Sequence, residues 1–144
     1  MYYMIPVMIA VLALSSPLVT SPARAADQAP LIGPRAFVGL WEGIDPFDGS
    51  LQRLSITCAD DMTCDVRLTD SFFTDCEGET GFAQGEGIIE DGALSVSAFM
   101  LTCNNGETLE DSELFVPDFA NGTLINLDAR SDISPPTAFH KISQ

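Results

Sequence analysis

From about residue 50 onward, apolar and polar residues alternate in the way an extended chain needs when one face is buried. Leu54, Ile56 and Cys58 share a face, while Arg53, Ser55 and Thr57 share the other. A little further on, Cys64, Val66 and Leu68 alternate with Asp65, Arg67 and Thr69. Leu94, Val96, Ala98 and Met100 repeat the pattern against Ser95 and Ser97, and Phe99 and Leu101 make that segment apolar on its second face too. Turn formers punctuate the chain about every ten to fifteen residues, as in antiparallel β proteins. They are Asp45-Pro46 with Asp48-Gly49, Asp60-Asp61, Gly78 to Gly81, Asp91-Gly92, Asn104-Asn105-Gly106, Asn121-Gly122 and Pro135-Pro136. Asp91-Gly92 and Asn105-Gly106 both suit a type I′ hairpin turn, whose two central positions need positive φ.

Cutting at the turns leaves the segments Phe37 to Ile44, Ser50 to Cys58, Thr63 to Thr69, Phe82 to Glu90, Ala93 to Cys103, Glu107 to Val116, Thr123 to Arg130, and Thr137 to Ile142. Only the sixth has a helical reading, since Leu109, Glu110, Glu113 and Leu114 also fit one short amphipathic helix; strand is the preferred assignment. Short strands joined by tight turns hide their edges by closing on themselves. The predicted fold is therefore all-β, an antiparallel up-and-down barrel of about eight strands, with a two-sheet β-sandwich as the alternative.

The start of the chain reads differently. Ile5 to Thr20 is apolar, interrupted by Pro6 and Pro17, and is followed by the small-residue site Ala23-Arg24-Ala25. This predicts a signal peptide over residues 1–25, although the opening MYYM lacks the usual basic residue. A membrane anchor would want about 20 unbroken apolar residues. A Pro- and Ala-rich flexible arm over 26–35 and a single β-barrel domain over 36–144 complete the expected organisation. The predicted location is secreted or periplasmic, with no stable membrane span after cleavage.

Charge narrows the partners. Against 21 Asp+Glu stand 6 Lys+Arg, giving a formal net charge of -15 over 144 residues. Phosphate affinity comes from clustered Lys and Arg, so nucleic acid is excluded as a partner class. In an oxidising compartment, Cys58, Cys64, Cys76 and Cys103 are expected to pair. Their spacing is wider than the gaps of about two to four residues in structural zinc sites, and His140 is the one imidazole. Cys58 and Cys64 bracket a polar loop between two alternating runs, which sets them across a hairpin and leaves Cys76 to Cys103.

Phe37-Val38-Gly39-Leu40-Trp41 resembles the F-x-G-x-W that opens the first strand of lipocalins, and G-x-W also begins the avidin barrels. The resemblance spans five residues. It implies a calycin-type barrel in which Trp41 plugs one end beneath a late-strand Arg, a place that Arg130 would fill with a cation–π contact. The avidin pocket uses several further Trp residues, and this chain has one, so biotin is not an expected ligand.

No catalytic constellation emerges. A Ser-His-acid system would need His140, close to the end of the chain, and Ser50 is better explained as turn chemistry. Weak calcium candidates are Asp45, Asp48, Asp60, Asp61 and Asp65, none in a D-x-D-x-D-G loop. The expected function is a non-enzymatic binding module without a cofactor, holding a small apolar ligand among Phe82, Ile88, Met100 and Phe115. The alternatives are an inhibitor or adaptor that binds a basic protein through its acidic surface, with Phe72 and Phe73 as recognition residues, and a structural domain of the cell envelope.

Overall fold

A computed structural model describes residues 33–59, 62–127 and 135–143. Among these residues eight strands form one closed antiparallel barrel: β1 (Gly39–Ile44), β2 (Leu51–Cys58), β3 (Thr63–Phe73), β4 (Glu79–Glu90), β5 (Ala93–Cys103), β6 (Thr108–Asp118), β7 (Thr123–Asn126) and β8 (Thr137–Ser143). Each strand pairs with its sequence neighbours, and β8 returns to β1. Closure leaves no free edge and rules out the sandwich. The doubtful sixth segment is a strand, paired on both sides. Residues 34 and 35, expected within the arm, belong instead to a 3₁₀ turn, Pro34–Ala36, which leads into the barrel. The predicted signal peptide and residues 26–32 of that arm lie outside the described residues.

Alternation decides which side chains turn inward. Leu54, Ile56, Cys64, Val66, Leu94, Phe115, Leu124 and Phe139 are buried and fill the interior. Phe115 and Phe139 meet edge to face, with centroids 6.5 Å apart.

The regular rhythm breaks on β5, whose register shifts against β4 between Gln84 and Ile88 and against β6 between Val96 and Phe99. An extra residue on a strand reverses its facing. Past Val96, therefore, Phe99 and Leu101 point inward, while Ala98 and Met100 point to solvent. On β4 the inward positions are Ala83, Gly85, Gly87 and Ile89. A Cβ on Gly85 would lie 2.6 Å from the Ala98 carbonyl oxygen and 3.2 Å from the Phe99 ring, so the irregular stretch can close only around glycine.

The turns follow their sequence in one case and depart from it in another. Asp91 (φ 48°) and Gly92 (φ 83°) make the expected positive-φ pair. At Asn105-Gly106 only the glycine has positive φ. There the Gly106 amide donates to the Cys103 carbonyl and the Cys103 amide to the Glu107 carbonyl, making a longer loop in which Asn105 accepts the Glu107 amide through its side chain.

Both disulfides form as expected. Cys58–Cys64 links directly opposed residues of β2 and β3, and Cys76–Cys103 ties the 3₁₀ turn after β3 to the end of β5. Two bridges fit an oxidising environment. Among the described residues no helix is long and apolar enough to cross a membrane.

Antiparallel order puts the β2–β3, β4–β5 and β6–β7 turns at one end, together with the Pro34–Ala36 turn. The β1–β2, β3–β4 and β5–β6 connections, the end of β7 and the start of β8 gather at the other. The two ends differ in how they are filled.

Candidate functional site

The first end is plugged. Phe37 is fully buried, and its carbonyl accepts a 2.7 Å hydrogen bond from the Trp41 indole nitrogen. Trp41 is itself buried, and the Lys141 ammonium lies 5.0 Å from its ring centroid, a cation–π contact from the last strand. Gly39 makes room for that lysine. Its φ of +141° favours glycine, and a Cβ there would stand 2.5 Å from Lys141 Cε and 2.7 Å from the Ser143 carbonyl oxygen. The cation over Trp41 is thus Lys141; Arg130, expected in that place, lies outside the described residues.

The second end is hollow. A cavity of about 280 Å³ opens between the β1–β2 loop, the β3–β4 turn and the start of β8. Its apolar floor is Leu68, Ala83, Phe99 and Leu101, and Phe47, Phe72 and Pro135 rim it. Five acids also line it: Asp45, Asp70, Asp75, Asp111 and Glu113. Among the described residues no Lys, Arg or His joins them. Asp111 and Glu113 stand opposite Phe99 and Val96, so β6 sends carboxylates to the same side of the sheet as those apolar side chains.

A buried polar network organises this end. Gln52 and Asp70 face each other across β2 and β3, and both are over nine-tenths buried. The Gln52 Nε2 donates to Asp70 Oδ2 at 2.9 Å and to Asp45 Oδ2 at 3.1 Å. That double donation fixes the amide, because a flip would turn its oxygen against two carboxylates. Asp70 Oδ1 also accepts the Phe72 amide, and Asp45 Oδ1 accepts the Phe47 amide. Burial pushes the Asp45 pKa up; the Phe47 hydrogen bond opposes this, and the nearby charges of Asp48 and Asp70 add to it. Across the barrel, Asn126 on β7 lines the cavity and is equally buried. The Gln52 Oε1 and Asn126 Oδ1 atoms are buried without a hydrogen-bond donor among the described residues.

The residues singled out from sequence scatter. Phe115 is inside, but Phe82, Ile88 and Met100 are corrected to the outer face, at 44%, 50% and 37% exposure. The extra residue on β5 sets Met100 outward, and strict alternation on β4 from Ala83 to Ile89 does the same for Phe82 and Ile88. Phe72 is half-exposed against Gly78 at the mouth, whereas Phe73 packs on the core beside Cys76. Asp45 joins the network, Asp48 accepts the Ser50 amide within its loop, and Asp65 is exposed on β3. Asp60 and Asp61 lie outside the described residues. Among the described residues no three His, Cys, Asp or Glu side chains are grouped to hold a metal ion. His140 is exposed on β8, and Ser50 is buried at the end of the β1–β2 loop.

Gln52, Asp70 and Asn126 went unremarked in the sequence. The signal was present: each continues an inward alternation, Gln52 with Leu54, Asp70 with Leu68, and Asn126 with Leu124. The expected third strand stopped at Thr69, one residue short. The chain matches no family model, no curated protein and no solved structure.

Proposed function

We propose that this protein is an exported, non-enzymatic, lipocalin-like barrel that holds a small, largely apolar ligand in its open-ended cavity. The observation that carries this reading is the contrast between the barrel's two ends. One is sealed by Phe37, Trp41 and Lys141, and the other keeps about 280 Å³ above an apolar floor. That volume is at the small end of the roughly 300–1,000 Å³ usual for ligand pockets, and a few convergent polar groups over apolar walls are their usual make-up.

A neutral, environment-sensitive naphthalene dye such as prodan tests it. The dye should brighten on binding with little dependence on salt, because burial of apolar surface, not ion pairing, drives the association. Ala83→Leu, which fills the floor, should abolish the signal. Dye binding that survives Ala83→Leu would place the dye elsewhere and defeat the proposal. Capture of a basic protein through the acidic exterior predicts the opposite salt dependence, with binding at low ionic strength that is lost as salt rises.

A further inference from the structure

We propose that the ligand of the open-end cavity is a small organic ammonium ion, its charged head on the Gln52–Asp70–Asn126 layer and its apolar body on Leu68, Phe99 and Leu101. This deepens the ligand-binding reading above and rests on it.

Among the described residues no Lys, Arg or His pairs with the buried carboxylate of Asp70. Asp70 is 5% exposed, and its hydrogen bonds come from two neutral donors, the Gln52 amide and the Phe72 backbone. Asp45 draws on the same Gln52 nitrogen. A buried carboxylate is costly unless a cation balances it, and here the neutral side-chain amide that serves buried Asp70 is shared with the half-buried Asp45. Burial first, and then the neighbouring charges of Asp48 and Asp70, raise the Asp45 pKa.

The second observation is independent of charge. Gln52 and Asn126 are buried, line the cavity and each carry an amide oxygen that accepts no hydrogen bond from the described residues. Such oxygens need donors. The requirement of this layer is therefore one-sided: negative charge and acceptors, met by a group that is positive and rich in N–H. An ammonium head fits it, while a carboxylate or phosphate would be repelled.

Floor and size define the rest of the ligand. Beneath the polar layer the walls are Leu68, Ala83, Phe99 and Leu101, which suit a hydrocarbon or aromatic body better than a hydrated metal ion. The cavity volume of about 280 Å³ leaves room for such a body. An arylalkylamine is of that size.

The test uses isothermal titration of the full exported chain at physiological ionic strength with three matched probes: 2-phenylethylammonium, 2-phenylethanol and 3-phenylpropanoate. The amine should bind about tenfold or more tighter than the alcohol, in line with a hydrogen bond to a charged group, and the acid should not bind. Asp70→Asn, which keeps the shape and removes the charge, should erase the amine's advantage while the alcohol binds as before. Asn126→Leu should weaken the amine and spare the alcohol, giving a second readout if Asp70→Asn folds poorly. Equal affinity for amine and alcohol would overturn the ammonium assignment and leave the ligand-binding reading standing. Binding of none of the probes, with no prodan signal, would overturn both. Calcium that displaces the amine and binds more tightly would reassign the acids to a metal. An amine that binds only after Arg130→Gln would mean the chain supplies its own cation, and this too would overturn the proposal.

Discussion

Gly39→Ala isolates the device that seals the closed end. The residue has φ +141°, where an L side chain is strained by about 1–3 kcal/mol. The new methyl group would also meet Lys141 Cε at 2.5 Å and the Ser143 carbonyl oxygen at 2.7 Å. The lysine chain can swing away, but doing so gives up its hold on Trp41, worth about 0.5–1 kcal/mol. The Ser143 oxygen is backbone, so the end of β8 must move. Together these terms predict a loss of about 2–4 kcal/mol, or roughly 1–2 M in urea midpoint. The single tryptophan is the reporter, since Trp41 is buried here and its emission will redden on exposure. Lys141→Ala alone should cost about 0.5–1 kcal/mol. The double variant should fall short of the sum by a similar amount, because Gly39→Ala already displaces the lysine. A loss below about 0.5 kcal/mol for Gly39→Ala would refute the reasoning, since ordinary surface changes reach that size.

Three further outcomes are expected. Replacing Cys76 and Cys103 by Ser should cost more than replacing Cys58 and Cys64, about 3.5 against about 2.2 kcal/mol by chain entropy, because the separations are 27 and 6 residues; paired thermal melts compare them. Met100→Ser should change urea stability by less than about 0.5 kcal/mol, whereas Phe99→Ser should cost about 3 kcal/mol or more, and the reverse order would disprove the change of facing on β5. A carboxyl whose pKa is raised by folding disfavours the folded state as pH climbs from its ordinary value through the raised one, with the penalty complete above that. Asp45→Asn should thus stabilise the protein at neutral pH and lose its advantage below the ordinary value of 3.8, as read from urea midpoints across pH.

The fold was largely legible because alternation and turn chemistry are local. Leu54 to Cys58 and Cys64 to Leu68 announce a hairpin, and the polar loop between them places two sulfurs across it, so the first bridge followed and the second came by elimination. Asp91-Gly92 carried its turn type in two residues. Facing on β5 was not legible. Ser97 and Ala98 look like one more step of the same alternation, and only pairing with β4 and β6 reveals the extra residue that turns Met100 out and Phe99 in. Asn105-Gly106 failed for a related reason, since the hydrogen bonds that close its loop involve Cys103 and Glu107, and the dipeptide alone does not specify the span. The cavity was partly legible. Gln52 and Asp70 are polar residues in phase with buried neighbours, which is a sign of a hydrated or liganded interior. Attention to bulky apolar residues passed over them.

The shortness of β7 has its own consequence. Its four residues, Thr123–Asn126, bridge two strands of eleven and seven, while β4 runs to twelve. Amides on β7 will trade their protons for deuterium soonest, and under load the ring will part along this stave into an open, eight-ribbed sheet. Since Asn126 ends that stave, the most breathable seam of the cylinder is also a wall of its hollow chamber.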